Sequence, residues 1–288
     1  MKVAVLGASG GMGSFFARYF LEKGETVIGS DSGKGRKQPL PRVEVRSSNA
    51  EAARGCDVTI IAVPMDSTLK VAKEIAGKLK PGSTLVEISS VKGETLPALR
   101  KLVDKRVKLL SIHPLFGPAL QSTWRMKIAV IVGKKGGVGA PEVALASELF
   151  PEARIIPMSQ KEHDKAVAVV LSLTHLLNIV YAATASQFLS PDEFMKVATP
   201  NASMQLTLAE AVLAQDPKLS FNIQAGNVYS KRVGRAASRE LKRALAILER
   251  SDWDGFAENF SKLAKRYKTD KRGGAMIKEI YSAAAKGS

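Results

Sequence analysis

The sequence predicts an α/β fold in which a doubly wound parallel sheet is followed by an all-helical domain. Three observations support this prediction. Short β-rich runs alternate with helical stretches over residues 1–157, and a glycine-rich segment directly follows the first run. From about residue 159 onward the β pattern stops and long helical periodicities replace it. The expected domains are therefore residues 1–157 and residues 158–288.

Each expected strand is a short run rich in β-branched or other apolar residues. The runs are Val3–Leu6, Thr26–Ser30, Val58–Val63, Thr84–Ile88, Lys108–Ile112, Ile128–Val132 and Arg154–Pro157. Parallel strands need long crossover connections, and most of the intervening segments have helical patterns. The first helix of the second half is expected to begin at Gln160 and to end near Phe188.

Composition indicates a folded protein without a membrane span. The chain has 288 residues, of which 45% are hydrophobic and 24% charged, so it can bury a sizeable core. Its strongly apolar runs, such as Ala166–Leu173, are far shorter than the roughly 20 residues that a spanning helix needs. The first residues form a strand rather than a signal peptide, and the lone Cys56 has no internal disulfide partner. A cytoplasmic location is expected.

A net charge of +16 suggests an anionic partner, but the basic residues do not mark a nucleic-acid site. They are spread along the chain, and the densest stretches, Lys34–Lys37 and Lys265–Arg272, are short. Lys231, Arg235, Arg239 and Lys242 recur at helical spacing, which is typical of a solvated helix face. A small anionic substrate is expected rather than nucleic acid. An origin in a hot environment would also explain the charge.

A glycine-rich loop connects the first strand to a helix-like segment. The loop reads Gly7-Ala8-Ser9-Gly10-Gly11-Met12-Gly13. Glycines here allow a tight turn and let a pyrophosphate approach the N–H groups of the helix start. The context predicts a Rossmann-type dinucleotide site. Its expected contacts are Gly7, Ser9, Gly10, Gly11, Met12 and Gly13, with Val63 and Pro64 from the end of the third expected strand.

Asp31 follows the second expected strand, where a carboxylate can bind a ribose 2′-hydroxyl. A carboxylate there repels a 2′-phosphate, so the preferred cofactor is NAD. Lys34, Arg36 and Lys37 lie close by in sequence, and they leave NADP possible. An ordinary turn residue is the alternative interpretation of Asp31.

Two further strand ends carry chemical groups. Residues 87–93 read Glu-Ile-Ser-Ser-Val-Lys-Gly, and residues 111–118 read Ser-Ile-His-Pro-Leu-Phe-Gly-Pro. Both segments should lie at the carboxyl edge of the sheet, beside the cofactor. A histidine can take a proton from an alcohol near neutral pH while a serine shares the hydrogen bond. His113 and Ser90 are therefore the catalytic candidates.

The other two histidines do not predict a metal site. His163 and His175 are separated by about 3.3 helical turns, so they do not share a helix face. No other cluster has zinc-like spacing, and no metal is expected. His163 and Asp164 are interpreted as caps of a helix start.

Five segments together resemble the prephenate dehydrogenase family. They are the glycine loop, Ser90–Gly93, His113–Pro118, Glu162–Asp164 and Thr174–Leu177. The similarity is greatest to the dehydrogenase portion of the chorismate mutase–prephenate dehydrogenases, without the mutase and as a stand-alone enzyme. It runs in patches to about residue 260.

The resemblance implies a fold, a reaction and residue roles. A dinucleotide-binding domain would precede a helical domain through which two chains form a homodimer. The implied reaction is the oxidative decarboxylation of prephenate to 4-hydroxyphenylpyruvate in tyrosine biosynthesis. His113 would deprotonate the ring hydroxyl, Ser90 would hydrogen-bond that hydroxyl or orient His113, and His175 would position the substrate.

One position departs from the family pattern. Ser203 occupies the place of an arginine that, in the family, binds the ring carboxylate of the substrate. Lys196, Lys231 and Arg232 are the candidate replacements, unless the substrate differs.

Three alternatives stay open on sequence alone. The first is arogenate as substrate. The second is a β-hydroxyacid dehydrogenase of the 6-phosphogluconate type, which needs a lysine such as Lys165 or Lys196 in the helical domain. The third is a non-catalytic dinucleotide-sensing or nucleic-acid-binding protein that uses the positive charge.

Overall fold

The computed structural model describes residues 1–31, 40–118, 126–133, 137, 139–267 and 278. Its centre is an eight-stranded sheet with the order β3-β2-β1-β4-β5-β6-β7-β8. The strands are β1 (Lys2–Leu6), β2 (Thr26–Ser30), β3 (Glu44–Val45), β4 (Val58–Ile61), β5 (Thr84–Glu87), β6 (Lys108–Pro114), β7 (Lys127–Val132) and β8 (Arg154–Ser159). The order reverses at β1, as in a doubly wound fold. The predicted fold class is confirmed.

The sheet is not parallel throughout, which corrects the prediction. Strands β1 to β6 pair in parallel, but β7 pairs with β6 antiparallel, with His113 opposite Ala129. Strand β8 is parallel to β7. The described residues between β6 and β7 contain no helix, and antiparallel neighbours need no crossover helix.

One strand was not predicted, and several strand ends differ from the prediction. The edge strand β3 (Glu44–Val45) was not predicted, because it is two residues long and exposed and therefore has no apolar run. Strand β4 ends at Ile61, so Val63 and Pro64 lie in the connection that follows it. That connection begins at the carboxyl edge of the sheet.

Helices cover both faces of the sheet. They are α1 (Gly11–Glu22), α2 (Asn49–Ala53), α3 (Thr68–Ile75), α4 (Thr95–Leu102) and α5 (Pro141–Leu149). On one face, aromatic residues of α1 pack against Phe150 at the end of α5. On the other face, α2, α3 and α4 contribute Ala52, Ile75 and Leu99 to a second core cluster. Burial of apolar side chains on both faces stabilises the buried strands between them.

The remaining helices form most of the second half. They are α6 (Gln160–Val167), α7 (Thr174–Ala185), α8 (Pro191–Val197), α9 (Pro200–Leu213), α10 (Pro217–Gly226), α11 (Ser230–Glu249) and α12 (Trp253–Tyr267). A π-helical stretch, Ala168–Leu173, joins α6 to α7. The chain divides into two compact units, residues 1–170 with 221–229 and residues 171–220 with 230–288. The domains predicted as 1–157 and 158–288 stay a prediction.

The helix Gln160–Ala185 is 26 residues long and is apolar enough to cross a membrane on length and composition alone. It is longer than the predicted apolar runs, because the π-helical stretch continues it. Core helices of other proteins pass the same test. The apolar window of this helix is 28% buried in the single chain, and His163 and His175 on it are buried and hydrogen-bond to side chains of this chain.

The second unit leaves many large apolar side chains exposed. On α11, Leu241 and Leu248 are 58% and 62% exposed in the single chain. On α12, Trp253 is 72% exposed and stacks on Phe256. Large exposed apolar patches are typical of interaction sites. The basic residues predicted to form a solvated face of α11 are exposed.

Candidate active site

The glycine loop has the geometry of a close backbone cradle. Gly7 has a φ of +90°, and a Cβ placed on it would lie 2.7 Å from the carbonyl oxygen of Ala62. A Cβ on Gly13 would lie 1.9 Å from the carbonyl oxygen of Gly7. Side chains at these two positions would therefore force the loop open. The loop is also tied to β2, because the N–H of Gly7 donates to the carbonyl oxygen of Ser30 at 2.8 Å.

The start of α1 suits a dinucleotide pyrophosphate. Gly10 is the N-cap of α1 and has no side chain that could occupy the N–H groups of the first turn. Ser9 Oγ is buried and has no hydrogen-bond partner among the described residues. A buried hydroxyl in that state favours a polar ligand at this place. The residues present therefore fit the cofactor predicted from the sequence.

Asp31 stands beside the glycine loop directly after β2. Its Oδ2 accepts a hydrogen bond of 2.8 Å from the backbone N–H of Ser9. The carboxylate is thus fixed next to the loop. The three basic residues that leave NADP possible, Lys34, Arg36 and Lys37, lie outside the described residues.

His113 lies on β6 and is buried, with 6% of its surface exposed. Its Nδ1 lies 3.0 Å from Nε2 of His163 on α6. The other nitrogen of His163, Nδ1, lies 2.9 Å from Oδ1 of Asp164. Two imidazoles and a carboxylate therefore form one buried chain that ends at His113. This corrects the interpretation of His163 and Asp164 as caps.

The cap of α6 is instead supplied by Ser159 and Glu162. The Ser159 hydroxyl accepts from the N–H of Glu162, and the Glu162 carboxylate accepts from the N–H of Ser159. This reciprocal pair satisfies two N–H groups of the helix start. His163 and Asp164 are thereby free to point into the protein, where His163 is 1% exposed.

A second buried network lies behind His113. The Lys92 ammonium donates to Oε2 of Glu87 at 2.8 Å and to the carbonyl oxygen of Ile112 at 2.6 Å. Both charged side chains are fully buried. Glu87 also accepts from the hydroxyl of Ser111, its neighbour in the parallel register of β5 and β6. The network therefore holds the backbone on the N-terminal side of His113.

Burial keeps His113 neutral. Its pKa lies well below the usual value of a histidine, first because burial disfavours the charged ring and then because of the positive charge of Lys92 and the proximity of His163. The pKa of Lys92 is also lowered by burial, an effect that its carboxylate neighbour Glu87 opposes. A neutral imidazole at neutral pH is the form that can accept a proton.

The turn after His113 contacts the glycine loop and its helix. The ring of Phe116 lies 4.9 Å from the ring of Phe15 on α1. A Cβ on Gly11 would lie 3.0 Å from Cγ of Pro118, so a side chain there would require this turn to shift by a few tenths of an ångström away from the start of α1. The segment that carries the candidate base is thereby packed beside the candidate pyrophosphate site.

The other predicted residues have less defined surroundings. Ser90 is half-buried, and no hydrogen bond of its side chain joins it to His113 in the described part of the chain. His175 is buried in the second unit, where its Nδ1 lies 3.1 Å from Ser220 Oγ. Its pKa is lowered by burial. Both roles stay predictions.

The position of the missing arginine is also in the second unit. Ser203 lies half-buried in the first turn of α9. Lys196, Lys231 and Arg232, the candidate replacements, are exposed. In the same unit, Gln205 donates to the amide oxygen of Asn178 at 2.9 Å. Within the described ranges, no group of three His, Cys, Asp or Glu side chains could hold a metal ion.

Sequence reasoning missed the roles of His163, Asp164, Lys92 and Glu87. His163 lies 50 residues from its partner His113, and Asp164 lies 72 residues from Lys92. No local sequence pattern reveals contacts between residues so far apart in the chain. The available signal was their polarity. A Glu-His-Asp run at the start of an apolar helix and a lysine after a buried strand are unfavourable to bury unless they have partners.

Comparison with known proteins agrees with these features. Residues 16–135 match a family model described as "Prephenate dehydrogenase, nucleotide-binding domain", and residues 159–262 match one described as "Prephenate dehydrogenase, dimerization domain". A relative named "Probable arogenate/prephenate dehydrogenase" from Methanocaldococcus jannaschii is 29% identical over 280 residues. That alignment covers 96% of this chain, which spans 63% of the length of the relative.

A second relative and two solved structures extend the comparison. The "4-amino-4-deoxyprephenate dehydrogenase" of Streptomyces pristinaespiralis is 27% identical over 91% of this chain and 90% of its own length. The prephenate dehydrogenase of Aquifex aeolicus, solved with hydroxyphenyl propionate and NAD+, has a TM-score of 0.74 at 19% identity and covers 94% of this chain and 98% of its own. Synechocystis arogenate dehydrogenase has a TM-score of 0.68 at 15% identity and covers 93% and 99%.

The two structural likenesses support the fold, and the two family models cover most of both halves of the chain. Four of the five motifs identified in the sequence, at residues 90–93, 113–118, 162–164 and 174–177, lie within the residues that the two family models match, and the glycine loop precedes the first match. The chain belongs to the prephenate dehydrogenase family.

Proposed function

We propose that this protein is an NAD-dependent dehydrogenase that oxidatively decarboxylates prephenate to 4-hydroxyphenylpyruvate, a step of tyrosine biosynthesis. The observation that carries the proposal is His113. This buried imidazole has its Nδ1 engaged by His163, while no partner of its Nε2 is found among the described residues. The turn that follows it packs beside the glycine loop through Pro118 and Gly11.

The chemistry needs a base near a hydride acceptor. When bound, NAD supplies the acceptor for the hydride that leaves the ring carbon bearing the hydroxyl. Nε2 of His113 accepts the proton of that hydroxyl, and the ring carboxylate leaves as carbon dioxide while its bonding electron pair completes the aromatic ring. Because aromatisation drives the reaction, the protein contributes mainly alignment and a base. Ser90 is proposed to share the hydrogen bond of the hydroxyl, and His175 to position the substrate.

The cofactor is proposed to lie along the glycine loop. The N–H groups of the first turn of α1, around Gly11 and Met12, would bind the pyrophosphate, and the hydroxyl of Ser9 would donate to it. Asp31 would accept from the ribose. Val63 and Pro64, in the connection after β4, would line the cofactor on its other side.

We propose a substrate whose ring carries a carboxylate. Relatives are named for prephenate, arogenate and 4-amino-4-deoxyprephenate, which share a ring carboxylate and differ in the side chain or in the group at the reacting carbon. Prephenate is our first choice and arogenate our second. Because Ser203 stands in place of the family arginine, we propose that another donor binds the ring carboxylate, with Lys196, Lys231 and Arg232 as candidates; a different substrate is the alternative.

The test is the rate of NADH or NADPH formation with each substrate. Purified protein is mixed with prephenate, arogenate or 4-amino-4-deoxyprephenate and with either NAD or NADP, and absorbance of the reduced nicotinamide is followed. Turnover with prephenate and NAD that exceeds every other pairing is the expected result. A protein that binds NAD but turns over none of the three would contradict the proposal.

Cofactor preference is expected to depend on the charge of Asp31. Asp31→Asn keeps an oxygen that can accept from the N–H of Ser9 but removes the charge that repels a 2′-phosphate. We expect the ratio of kcat/KM for NAD to that for NADP to fall by about tenfold, the effect of one charge-assisted hydrogen bond. Steady-state kinetics with both cofactors measure the ratio.

Asp31→Ala is the comparison variant, because it removes the charge and also the acceptor for Ser9. It should change the ratio in the same direction and lower kcat/KM for both cofactors. A ratio that stays at the wild-type value in both variants would remove Asp31 from the ribose site.

A homodimer is proposed from the second unit. Its match is to a dimerization domain, and its helices α11 and α12 expose Leu241, Leu248 and Trp253. Burying such side chains against a second copy is favourable by about 25 cal/mol per Å² of apolar surface. Light scattering should give twice the chain mass of 30.9 kDa. A monomer at micromolar concentration would contradict the proposal.

The alternatives receive less support. A β-hydroxyacid dehydrogenase needs a catalytic lysine in its helical domain, but Lys196 is exposed and the ammonium of Lys165 lies over the ring of Tyr229. A nucleic-acid-binding protein would not need His113 and its buried partners. A cytoplasmic location stays a prediction.

A further inference from the structure

A series of hydrogen bonds connects Lys92, Asp164, His163 and His113. Which atom donates in each bond can be deduced from the groups involved. The series runs from the backbone N–H of Lys92 to Oδ1 of Asp164 (3.3 Å), from the same oxygen to Nδ1 of His163 (2.9 Å), and from Nε2 of His163 to Nδ1 of His113 (3.0 Å). Each imidazole nitrogen in the chain has one neighbour. The protons can therefore be assigned one contact at a time.

The assignment begins at Lys92, because a backbone N–H can only donate. Oδ1 of Asp164 must then be an acceptor, whether the side chain is a carboxylate or an amide in its place. The nitrogen that shares this oxygen, Nδ1 of His163, must carry a proton. In a neutral ring the other nitrogen, Nε2, is then an acceptor, and it accepts from a proton on Nδ1 of His113.

We propose that His163 and Asp164 are positioning residues that hold His113 as the Nδ1–H tautomer, so that Nε2 is its proton-accepting atom. With His163 neutral, the tautomer follows from the hydrogen bonds, and only its use as a base rests on the proposed function. Asp164 is itself held in place, because Asn227 donates to its carbonyl oxygen at 2.7 Å. Without these contacts the proton of His113 could occupy Nε2, and the ring could not accept another there.

Nitrogen-15 NMR tests the tautomer without any reaction. The chain has three histidines, so protein labelled at histidine gives few signals, and His163→Gln and His175→Gln variants assign them. At a pH where the rings are neutral, we expect His113 and His163 each to show a protonated Nδ1 and a bare Nε2. A proton on Nε2 of His113 in the wild type would overturn the proposal, and inactivity towards every substrate would not affect this result.

A matched pair of substitutions tests the consequence for catalysis. Glutamine at position 163 can place its amide oxygen near the position of Nε2 and accept from His113, whereas leucine cannot. His163→Leu should lower kcat by about 10² with little change in KM for NAD, and its NMR spectrum should show the His113 proton moving to Nε2. His163→Gln should keep the Nδ1–H form and stay within about tenfold of the wild-type kcat.

Asp164→Asn separates hydrogen bonding from charge. The N–H of Lys92 should keep the amide oxygen of the asparagine in the place of Oδ1, so the tautomer of both histidines should be retained.

If His163→Leu and His163→Gln lower kcat equally and leave the tautomer of His113 unchanged, His163 has only a structural role and the proposal fails. A retained tautomer in His163→Gln together with its loss in His163→Leu supports the proposal.

Discussion

Replacing His113 with asparagine is expected to lower kcat by about 10² or more while NAD binding stays near its wild-type strength. The asparagine amide can donate to Nε2 of His163 from nearly the place of Nδ1, so the buried contact of 3.0 Å can be kept. What disappears is the nitrogen at the position of Nε2, the proposed proton acceptor. Steady-state kinetics with prephenate and a titration with NAD measure the two effects.

The pH dependence of the wild type provides a second measurement on the same residue. Burial, followed by the charge of Lys92 and the proximity of His163, lowers the pKa of His113 below the histidine range. A base must be neutral to act, so kcat/KM should stay level through neutral pH and fall only as the pH drops below this lowered pKa. In His113→Asn the residual activity should lose that acidic limb.

Either of two results would remove His113 from the mechanism. One is an unchanged kcat in His113→Asn. The other is an acidic limb that persists unchanged in the variant, since it would then belong to another group. His113→Gln is the matched variant, because its amide lies near Nε2 but is not basic, and it should be as slow as His113→Asn.

The sheet was predictable from the sequence because its signals are local. Buried parallel strands are continuous apolar runs, such as Val3–Leu6, and these are separated by helical patterns. Strand direction is not a local property, so the antiparallel pairing of β7 with β6 was not predicted. The exposed edge strand β3 has no apolar run at all.

The residues of the candidate site also differ in whether a local sequence pattern reveals them. The glycine loop and His113 were found because each lies at the end of a strand with an uncommon local pattern. His163 was not found, because its contact with His113 depends on where α6 begins relative to β6, and that is set by the packing of both elements. His163 and Asp164 are polar and buried. Buried polar side chains are nearly always hydrogen-bonded, so their partners must be sought elsewhere in the fold.

Lys92→Met is expected to destabilise the protein by about 3–5 kcal/mol. A buried ion pair contributes little in comparison with an apolar pair of the same shape, but removing one partner leaves the other charge in a medium that solvates it poorly. Without the ammonium, the donors that Glu87 keeps among the described residues are the hydroxyl of Ser111 and the backbone N–H of Ser89. Urea unfolding followed by circular dichroism measures the loss.

Two further variants test whether the loss of stability in Lys92→Met comes from the buried charge. Lys80→Met removes the ammonium of an ion pair of the same 2.8 Å length, with Asp57, but its side chains are 52% and 40% exposed, so the loss should stay below about 1 kcal/mol. The double variant Lys92→Met with Glu87→Gln should be more stable than Lys92→Met alone, because no charge is left without a partner.

A loss of stability in Lys92→Met equal to that in Lys80→Met would contradict this expectation. It would show that Glu87 becomes protonated or solvated at little cost. Since the Lys92 ammonium also binds the carbonyl oxygen of Ile112, the stability of this network and the position of His113 should change together.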